Sequence, residues 1–342
     1  MSFAMILPYL KPIEHLILDP EVSEIMVNAD GSVFMERAGL ITSMPDLTIS
    51  ERQRQAAVRN IARILDDDIS EEKPLLDSRL PDGSRVAAVM APTSVGGTIL
   101  SIRKFRAAFF TAEEMVRIGS LSPEGLACLR TAVETHQMIL ISGGTGTGKT
   151  TLLNALAAFL PQHERVVLIE DTAEISICLP NLVRLEARRA QPDMPAVTIR
   201  ELLRQTLRLR PDRIIVGEVR GAEAFDLLQA LNTGHQGTIS TIHANSAQMA
   251  ISRFHTCVTM AGMEQSERAV SRNIAEVVNV IVQLERRAGL RRVVQVLNVN
   301  RYHTDTDQYD YTELGGIACL TLNYLADIFG RTLNERTGWP LC

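Results

Sequence analysis

The chain has 342 residues, 46% of them hydrophobic and 22% charged, which excludes a disordered or collagen-like polypeptide and suggests about two domains, or one large α/β domain. Lys and Arg number 35 against 40 Asp and Glu, for a net charge of −5, and aromatic residues make up only 4%. Neither a chain-wide cationic surface nor a base-stacking platform for nucleic acid is therefore expected.

Residues 24–28 and 32–36 read as strands joined at Asp30-Gly31, a hairpin signal. Ser50 caps a helix reaching to about residue 65, with Ala56, Ile61, Ile64 and Leu65 as its apolar stripe. Strands follow at 75–80, 84–90 and 97–103, the first two joined by a Pro81-Asp82-Gly83 turn. Together these predict a small α+β domain over residues 1–104. Residues 105–121 read as a linker holding one short helix, begun by the capping box Thr111-Ala-Glu-Glu114. Ser122 and Pro123 open the next helix.

From residue 137 the pattern changes. A continuous apolar strand at 138–142 runs into a glycine-rich turn at 143–148 and a helix to about residue 160. Strands at 165–169, 213–216 and 237–242 alternate with helices from the Thr198-Ile-Arg-Glu201 capping box to Pro211 and over 222–233. Such alternation means a mainly parallel sheet covered on both faces. Strands at 277–284 and 291–299 form a hairpin and close an α/β domain spanning 122–314. Residues 315–342 carry mixed signals and read as a tail.

Cys128, Cys178, Cys257, Cys319 and Cys342 are far apart, without a C-x-x-C pair. Neither zinc nor a disulfide framework is expected, and a reducing compartment fits. Residues 1–11 are apolar but lack the basic start and cleavage site of a signal peptide. The uncharged stretch 86–102 holds Pro92, Gly96 and Gly97 and reads as strands and a turn, not a membrane span. A cytoplasmic protein is expected.

Gly143-Gly144-Thr145-Gly146-Thr147-Gly148-Lys149-Thr150 matches G-x-x-x-x-G-K-[ST] between an apolar strand and a helix. A loop wrapped round a phosphate needs inward N–H groups with no Cβ in the way, which glycines allow. The helix that follows turns its positive end to the anion. Lys149 then reaches the β- and γ-phosphates, the Thr150 hydroxyl ligates Mg²⁺, and Thr151 completes the loop. Hydrolysis also needs a group to aim water. Glu218 ends an apolar strand, Glu170 ends another, and both fall on the edge where parallel strands present their ligands. Glu174 is a further candidate, while Asp171 equally suits a turn cap. His243 also lies at a strand end on that edge, placed to sense or contact the γ-phosphate.

Four boxes occur in order: the phosphate loop, Leu168-Ile-Glu-Asp-Thr-Ala-Glu174, Leu209-Arg-Pro-Asp-Arg-Ile-Ile-Val-Gly-Glu-Val-Arg220 and Thr233-Gly-His-Gln-Gly-Thr-Ile-Ser-Thr-Ile-His-Ala244. Together they resemble the secretion ATPases of type II and type IV systems, and within them the conjugative-transfer and Tad-pilus branch. The resemblance spans about residues 23–297 and is dense from 143 to 245. It implies an α/β fold with a RecA-like P-loop NTPase motor domain, preceded by the smaller N-terminal domain and assembled as a homohexamer. Such proteins hydrolyse MgATP at the inner membrane, peripherally attached to secretion or pilus-platform proteins, and nucleic acid enters at most as cargo. Glu218 matches the family's Walker B glutamate. Gly217 stands before it where many P-loop enzymes carry a metal-directed Asp, so waters complete the Mg²⁺ shell beyond Thr150. The resemblance also implies N-terminal arginines that reach the γ-phosphate. Arg103 is the first candidate, Arg85 the second, and Arg210, before the Walker B strand, a third.

Two other functions stay open on these residues. A nucleic-acid motor on the same core would show ATPase stimulation by single-stranded DNA. A nucleotide-dependent scaffold would bind ATP and barely turn it over, against which stand Lys149, Thr150 and Glu218.

Overall fold

The computed structural model describes residues 6–37, 39–80, 82–104, 110–188, 190, 194–262, 265–287 and 289–315. The chain divides into two units, 1–108 and 109–342.

In the first unit, helix α1 (Glu14–Leu18) precedes strands β1 (Val22–Val27), β2 (Ser32–Arg37) and β3 (Leu40–Thr48). Helix α2 (Glu51–Ile64) and strands β4 (Leu75–Arg79), β5 (Arg85–Val89) and β6 (Ile99–Arg103) follow. The six strands form one antiparallel sheet ordered β3-β2-β1-β6-β5-β4. The Asp30 carboxylate accepts from the Ser32 amide at 2.9 Å and hydroxyl at 2.7 Å, which fixes the β1–β2 turn. Strand β3 was not expected, because Pro45 cannot donate to a ladder. It is an edge strand, and its pairing with β2 shifts register on the way past the proline.

Helix α2 starts at the Ser50 capping box and buries Arg54, Ala57, Val58, Ile61 and Ala62, an i, i+3, i+4 series. Ala56, expected inward, is exposed instead. The reason is Arg54, a charge that an apolar count omits. Its Nε donates to the Thr98 carbonyl at 2.8 Å, and its other nitrogens reach the carbonyls of Ile49 and Ala29 and the Glu51 carboxylate. A buried guanidinium so fully bonded sets the rotation of the helix.

The second unit begins with helices α3 (Ala112–Arg117) and α4 (Pro123–Glu134), then β7 (Ile139–Gly143), α5 (Lys149–Ala157), β8 (Val166–Glu170) and β9 (Leu182–Glu186). It continues through α6 (Ile199–Thr206), β10 (Arg213–Val219), α7 (Glu223–Asn232), β11 (Ile239–Ile242), α8 (Ala247–Thr259) and α9 (Glu267–Val277). Strands β12 (Val280–Arg287), β13 (Leu290–His303) and β14 (Gln308–Gly315) end it. One sheet holds all eight strands in the order β14-β13-β12-β7-β11-β10-β8-β9. The six from β12 to β9 are parallel, and β13 and β14 extend them antiparallel. This is a mixed α/β fold.

Side chains alternate across the sheet with the period of a strand. Leu140, Val167, Ile169, Ile214, Val216, Ile242 and Ile281 join a core with α7, α8 and α9. Ile139, Ile141, Val166, Leu168, Ile215 and Val280 join one with α3, α4 and α5. Residues 110–121, read as linker, thus belong to the second unit, where Ala112, Met115 and Leu121 are buried. Residues 105–109, the rest of the expected linker, lie outside the described residues, as do 316–342 of the expected tail.

Several elements differ from the sequence reading. Val277 closes α9 instead of opening a strand. Helix α6 stops at Thr206, well before Pro211. Strand β9 was missed because it is an edge strand carrying Arg184 and Glu186, with no residue fully buried. Helices α8 and α9 start from Ser246 and Ser266, whose side chains accept the amides of Met249 and Ala269. Among the described residues no helix is long and apolar enough to cross a membrane.

Candidate active site

The phosphate loop leaves the fully buried strand β7 and enters α5 at Lys149. Gly148 caps that helix at φ +98°, a left-handed conformation that favours glycine. At Gly143, a Cβ would come within 2.6 Å of the Thr147 hydroxyl and 2.7 Å of the Leu284 carbonyl. The loop therefore closes only around a bare backbone, leaving a cradle of the kind a phosphate fills. Thr147 is buried and donates to the Gly144 carbonyl at 2.9 Å, bracing the turn, while Thr145 and Gly146 face solvent. Thr150 and Thr151, in the first turn of α5, are half-buried. Among the described residues no group of three or more His, Cys, Asp or Glu is placed to hold a metal. Thr150, the expected Mg²⁺ ligand, sits in the first turn of α5.

The buried Lys149 ammonium donates to the carbonyls of Gly143 and Gly144, both at 3.0 Å. Burial pushes its pKa below the usual lysine range; the Glu218 charge opposes that and the Arg220 charge adds to it. A lysine so desolvated gains more from an incoming anion than one in water would.

Strand β10 pairs in parallel with β8 and with β11, and its register against β11 shifts between Val216 and Val219. That irregularity falls on Gly217 and Glu218 and re-aims the glutamate. Thr241 braces it by donating to the Gly217 carbonyl at 2.8 Å. The Glu218 carboxylate then meets two partners. His243 Nε2 lies 3.2 Å from Oε1, and Arg220 donates to Oε2 at 2.9 Å. His243 Nε2 is also 3.4 Å from Lys149 Nζ. Lys149, His243, Glu218 and Arg220 thus form one run across adjacent strand ends. Arg220 extends it to Asp171 at 3.3 Å. Burial, and next the Lys149 charge, lower the pKa of His243, with Glu218 opposing, so the imidazole is neutral near pH 7.

Glu170 joins this edge with a different task. Its Oε1 accepts the amides of Glu174 and Ile175, both at 2.7 Å, and Oε2 lies 3.4 Å from Arg184. This residue was expected to aim water, and through Oε1 it shapes the loop after β8. It also accounts for Gly217, where a Cβ would meet Glu170 Cγ at 3.3 Å. Glu174 contributes its backbone amide to the same turn.

Arg210 is a correction. It precedes β10, at φ +52°, on the edge opposite the one where the phosphate loop and Glu218 sit. The length of a strand separates it from the loop of its own chain, so it makes no phosphate contact there. Arg103 and Arg85 lie in the first unit as cross-strand partners on β6 and β5, and Arg85 is 3.4 Å from Asp77.

Arg220 was passed over in the sequence although it belongs to the same box as Glu218. Residues two apart in extended chain share a face, which was the available signal. Two further arginines come from the β12–β13 hairpin. A guanidinium nitrogen of Arg286 lies 3.8 Å from where a Cβ on Gly146 would stand, and Arg291 Cδ lies 3.6 Å from that of Gly148. No local motif links a hairpin to a loop some 140 residues earlier, and only the pairing of β12 with β7 brings them together.

A family model described as type II/IV secretion system protein matches residues 9–323. The conjugal transfer protein TrbB of Rhizobium radiobacter is 35% identical over 302 residues, covering 86% of this chain and 90% of the relative. The type IV secretion system protein PtlH of Bordetella pertussis (strain Tohama I) is 35% identical over 304 residues, 81% of this chain and 90% of that one. Among solved structures, the ATPase DotB of Yersinia pseudotuberculosis superposes with a TM-score of 0.61 at 16% identity. That match covers 96% of this chain and 85% of the other, a likeness of fold.

Proposed function

The chain belongs to the type II/IV secretion system protein family, and from that membership we propose that it is an ATP hydrolase driving conjugative transfer, type IV secretion or Tad-pilus assembly. The observation that carries the reading is the run Lys149–His243–Glu218 beside the glycine cradle.

The phosphates of ATP take the inward amides of the loop. The Lys149 donors move from the Gly143 and Gly144 carbonyls to β- and γ-oxygens, which accept more strongly because they are charged. Glu218 orients the attacking water and receives its proton. The water oxygen bonds to the γ-phosphorus as the bond to the bridging oxygen breaks, giving ADP and orthophosphate. Arg220 holds one Glu218 oxygen and fixes the plane of the carboxylate. Neutral His243 separates Lys149 from Glu218 without adding a third cation. Thr150 and water would hold Mg²⁺, which would supply charge neutralisation at the phosphates. Arg103, with Arg85 as second choice, is the candidate for a planar guanidinium at the γ-phosphate of a RecA-like motor.

Six copies in a head-to-tail ring form the working assembly, since such contacts close identically around an axis. The ring sits on the cytoplasmic side of the inner membrane against secretion or pilus-platform proteins, with nucleic acid only as cargo. Steady-state ATPase assays and mass photometry of the full chain test this. Wild type turns over and reaches six subunits with MgATP, and Lys149→Ala abolishes turnover. Near-wild-type turnover in Lys149→Ala would overturn the site, and a monomer under saturating MgATP would overturn the ring.

A further inference from the structure

A cavity of about 330 Å³ opens beside the catalytic run, lined by Glu218, Val219, Arg220, His243 and Arg253. It brings together two guanidiniums from different elements. Arg220 follows β10 and is engaged with Glu218 and Asp171. Arg253 comes from the middle of α8, is exposed, and has no carboxylate paired with it among the described residues. The lining thus carries two arginines and one glutamate. No step of ATP binding at the loop uses Arg253.

The chemistry that fits is a small oxyanion. After hydrolysis Lys149 remains with the β-phosphate of ADP, so the cleaved phosphate needs other cations. The cavity shares Glu218 and His243 with the run that reaches Lys149. We propose that this cavity is a holding site for inorganic phosphate, gripped by Arg253 together with Arg220, through which the product leaves before ADP. The proposal rests on the ATP-hydrolase reading above. In balance, the water oxygen has become the fourth oxygen of the phosphate. The proton taken by Glu218 passes to that phosphate or to solvent, and no other reactant is needed. The planar fork of Arg253 matches two phosphate oxygens at once, which a lysine cannot do.

Equilibrium dialysis of labelled inorganic phosphate against the full chain saturated with MgADP tests the site directly. ADP fills the α- and β-phosphate positions of the loop, and the Arg253 variants tell the cavity apart from the vacated γ-position. Wild type should bind one phosphate per chain. Arg253→Ala should weaken it at least tenfold, about 1.4 kcal/mol, Arg253→Glu should abolish it, and Arg253→Lys should restore part of it. MgADP affinity, set by the loop, reports that each variant is folded. In the ATPase assay, phosphate should inhibit wild type in a manner that excess ATP does not relieve, and Arg253→Ala should escape that inhibition. Equal phosphate affinity in wild type and Arg253→Ala would overturn the proposal. So would inhibition purely competitive with ATP, which would place phosphate in the loop. A wild-type chain without turnover would sink the proposed function, while dialysis would still read this site.

Discussion

Strand β10 ends in an arginine–glutamate pair at each side of the sheet, and the two are opposites. At its start, Arg213 is 0% exposed and grips both oxygens of Glu164, 4% exposed, at 2.8 and 3.1 Å. Its Nη1 donates to the carbonyls of Val133 and Gly237, and His136 adds a contact to Glu164 at 2.9 Å. At its finish, Arg220 is 61% exposed and Glu218 19%, joined by a single bond. The first pair has spent its hydrogen-bonding capacity on the protein and holds loops together. The second keeps an oxygen of Glu218 turned to His243 and a guanidinium mostly in solvent, with Asp171 at 3.3 Å as its other partner. A saturated pair makes structure, and an unsaturated one beside a phosphate cradle is available for chemistry.

The sharpest way to break the contrast is to remove one charge from each end. Arg213→Met leaves Glu164 buried and largely uncompensated, and should cost about 3–5 kcal/mol in urea unfolding. The double variant Arg213→Met/Glu164→Gln should recover much of that loss, since no buried charge remains. A single variant within about 0.5 kcal/mol of wild type would show that the buried pair holds nothing. Glu218→Gln should do the reverse. It keeps size and most hydrogen bonds, so unfolding should scarcely change, while turnover falls by about 10²-fold or more and ATP still binds. Lost ATP binding in the folded variant would contradict the role given to Glu218.

The same strand shows how far the amino-acid sequence could be read. Its apolar run, its terminal glutamate and its place in an alternating α/β pattern were all legible, because strand periodicity and loop chemistry are local. Arg213 was legible only as the first residue of a strand. That it would be fully buried depends on Glu164, Val133 and Gly237, which come from three other segments. Arg210, three residues earlier, looked like a phosphate ligand by proximity in sequence, yet strand direction puts it at the wrong edge. Glu170 and Glu218 looked alike as acids at strand ends. What separates them is which oxygen meets backbone amides, and that is decided by the loop after β8. Edge strands β3 and β9 escaped for a related reason. Strand β3 is exposed along most of its length and β9 has no fully buried residue, so their side chains carry no strong pattern.

A smaller effect should come from Gly217, which lies between the two glutamates. Its Cβ position is 3.3 Å from Glu170 Cγ and 3.6 Å from both the Ile169 carbonyl and Ile175 Cδ1. Gly217→Ala should lower stability by about 1 kcal/mol through overpacking. It should also slow turnover a few-fold without changing ATP affinity, because Glu218 is the next residue. Unchanged turnover with lost stability would show that the loop shaped by Glu170 is not coupled to Glu218.

The smallest expected effect is a pH dependence at the open end of β10. Burial, and after it the Lys149 charge, depress the pKa of His243, while Glu218 pulls the other way. In the unfolded chain a histidine takes its proton near pH 6.5, and in the folded chain this one takes it only at lower pH. Between those two points the unfolded state binds more protons, so stability rises with pH. The contribution of neutral His243 is therefore complete above about pH 6.5 and is lost as the pH falls through the folded value. The imidazole is partly exposed, so the slope should be shallow and salt-sensitive. Melting temperatures of wild type and His243→Asn from about pH 7.5 down to about pH 5 should diverge, wild type losing stability faster. Carboxylates remote from His243 are common to both proteins and cancel in the difference. Turnover should fall over the same window, because a protonated His243 bonds the Glu218 oxygen that must take the proton from water. Parallel melting curves would mean that His243 keeps its ordinary affinity for a proton, and that Lys149 and Glu218 are not tied through it.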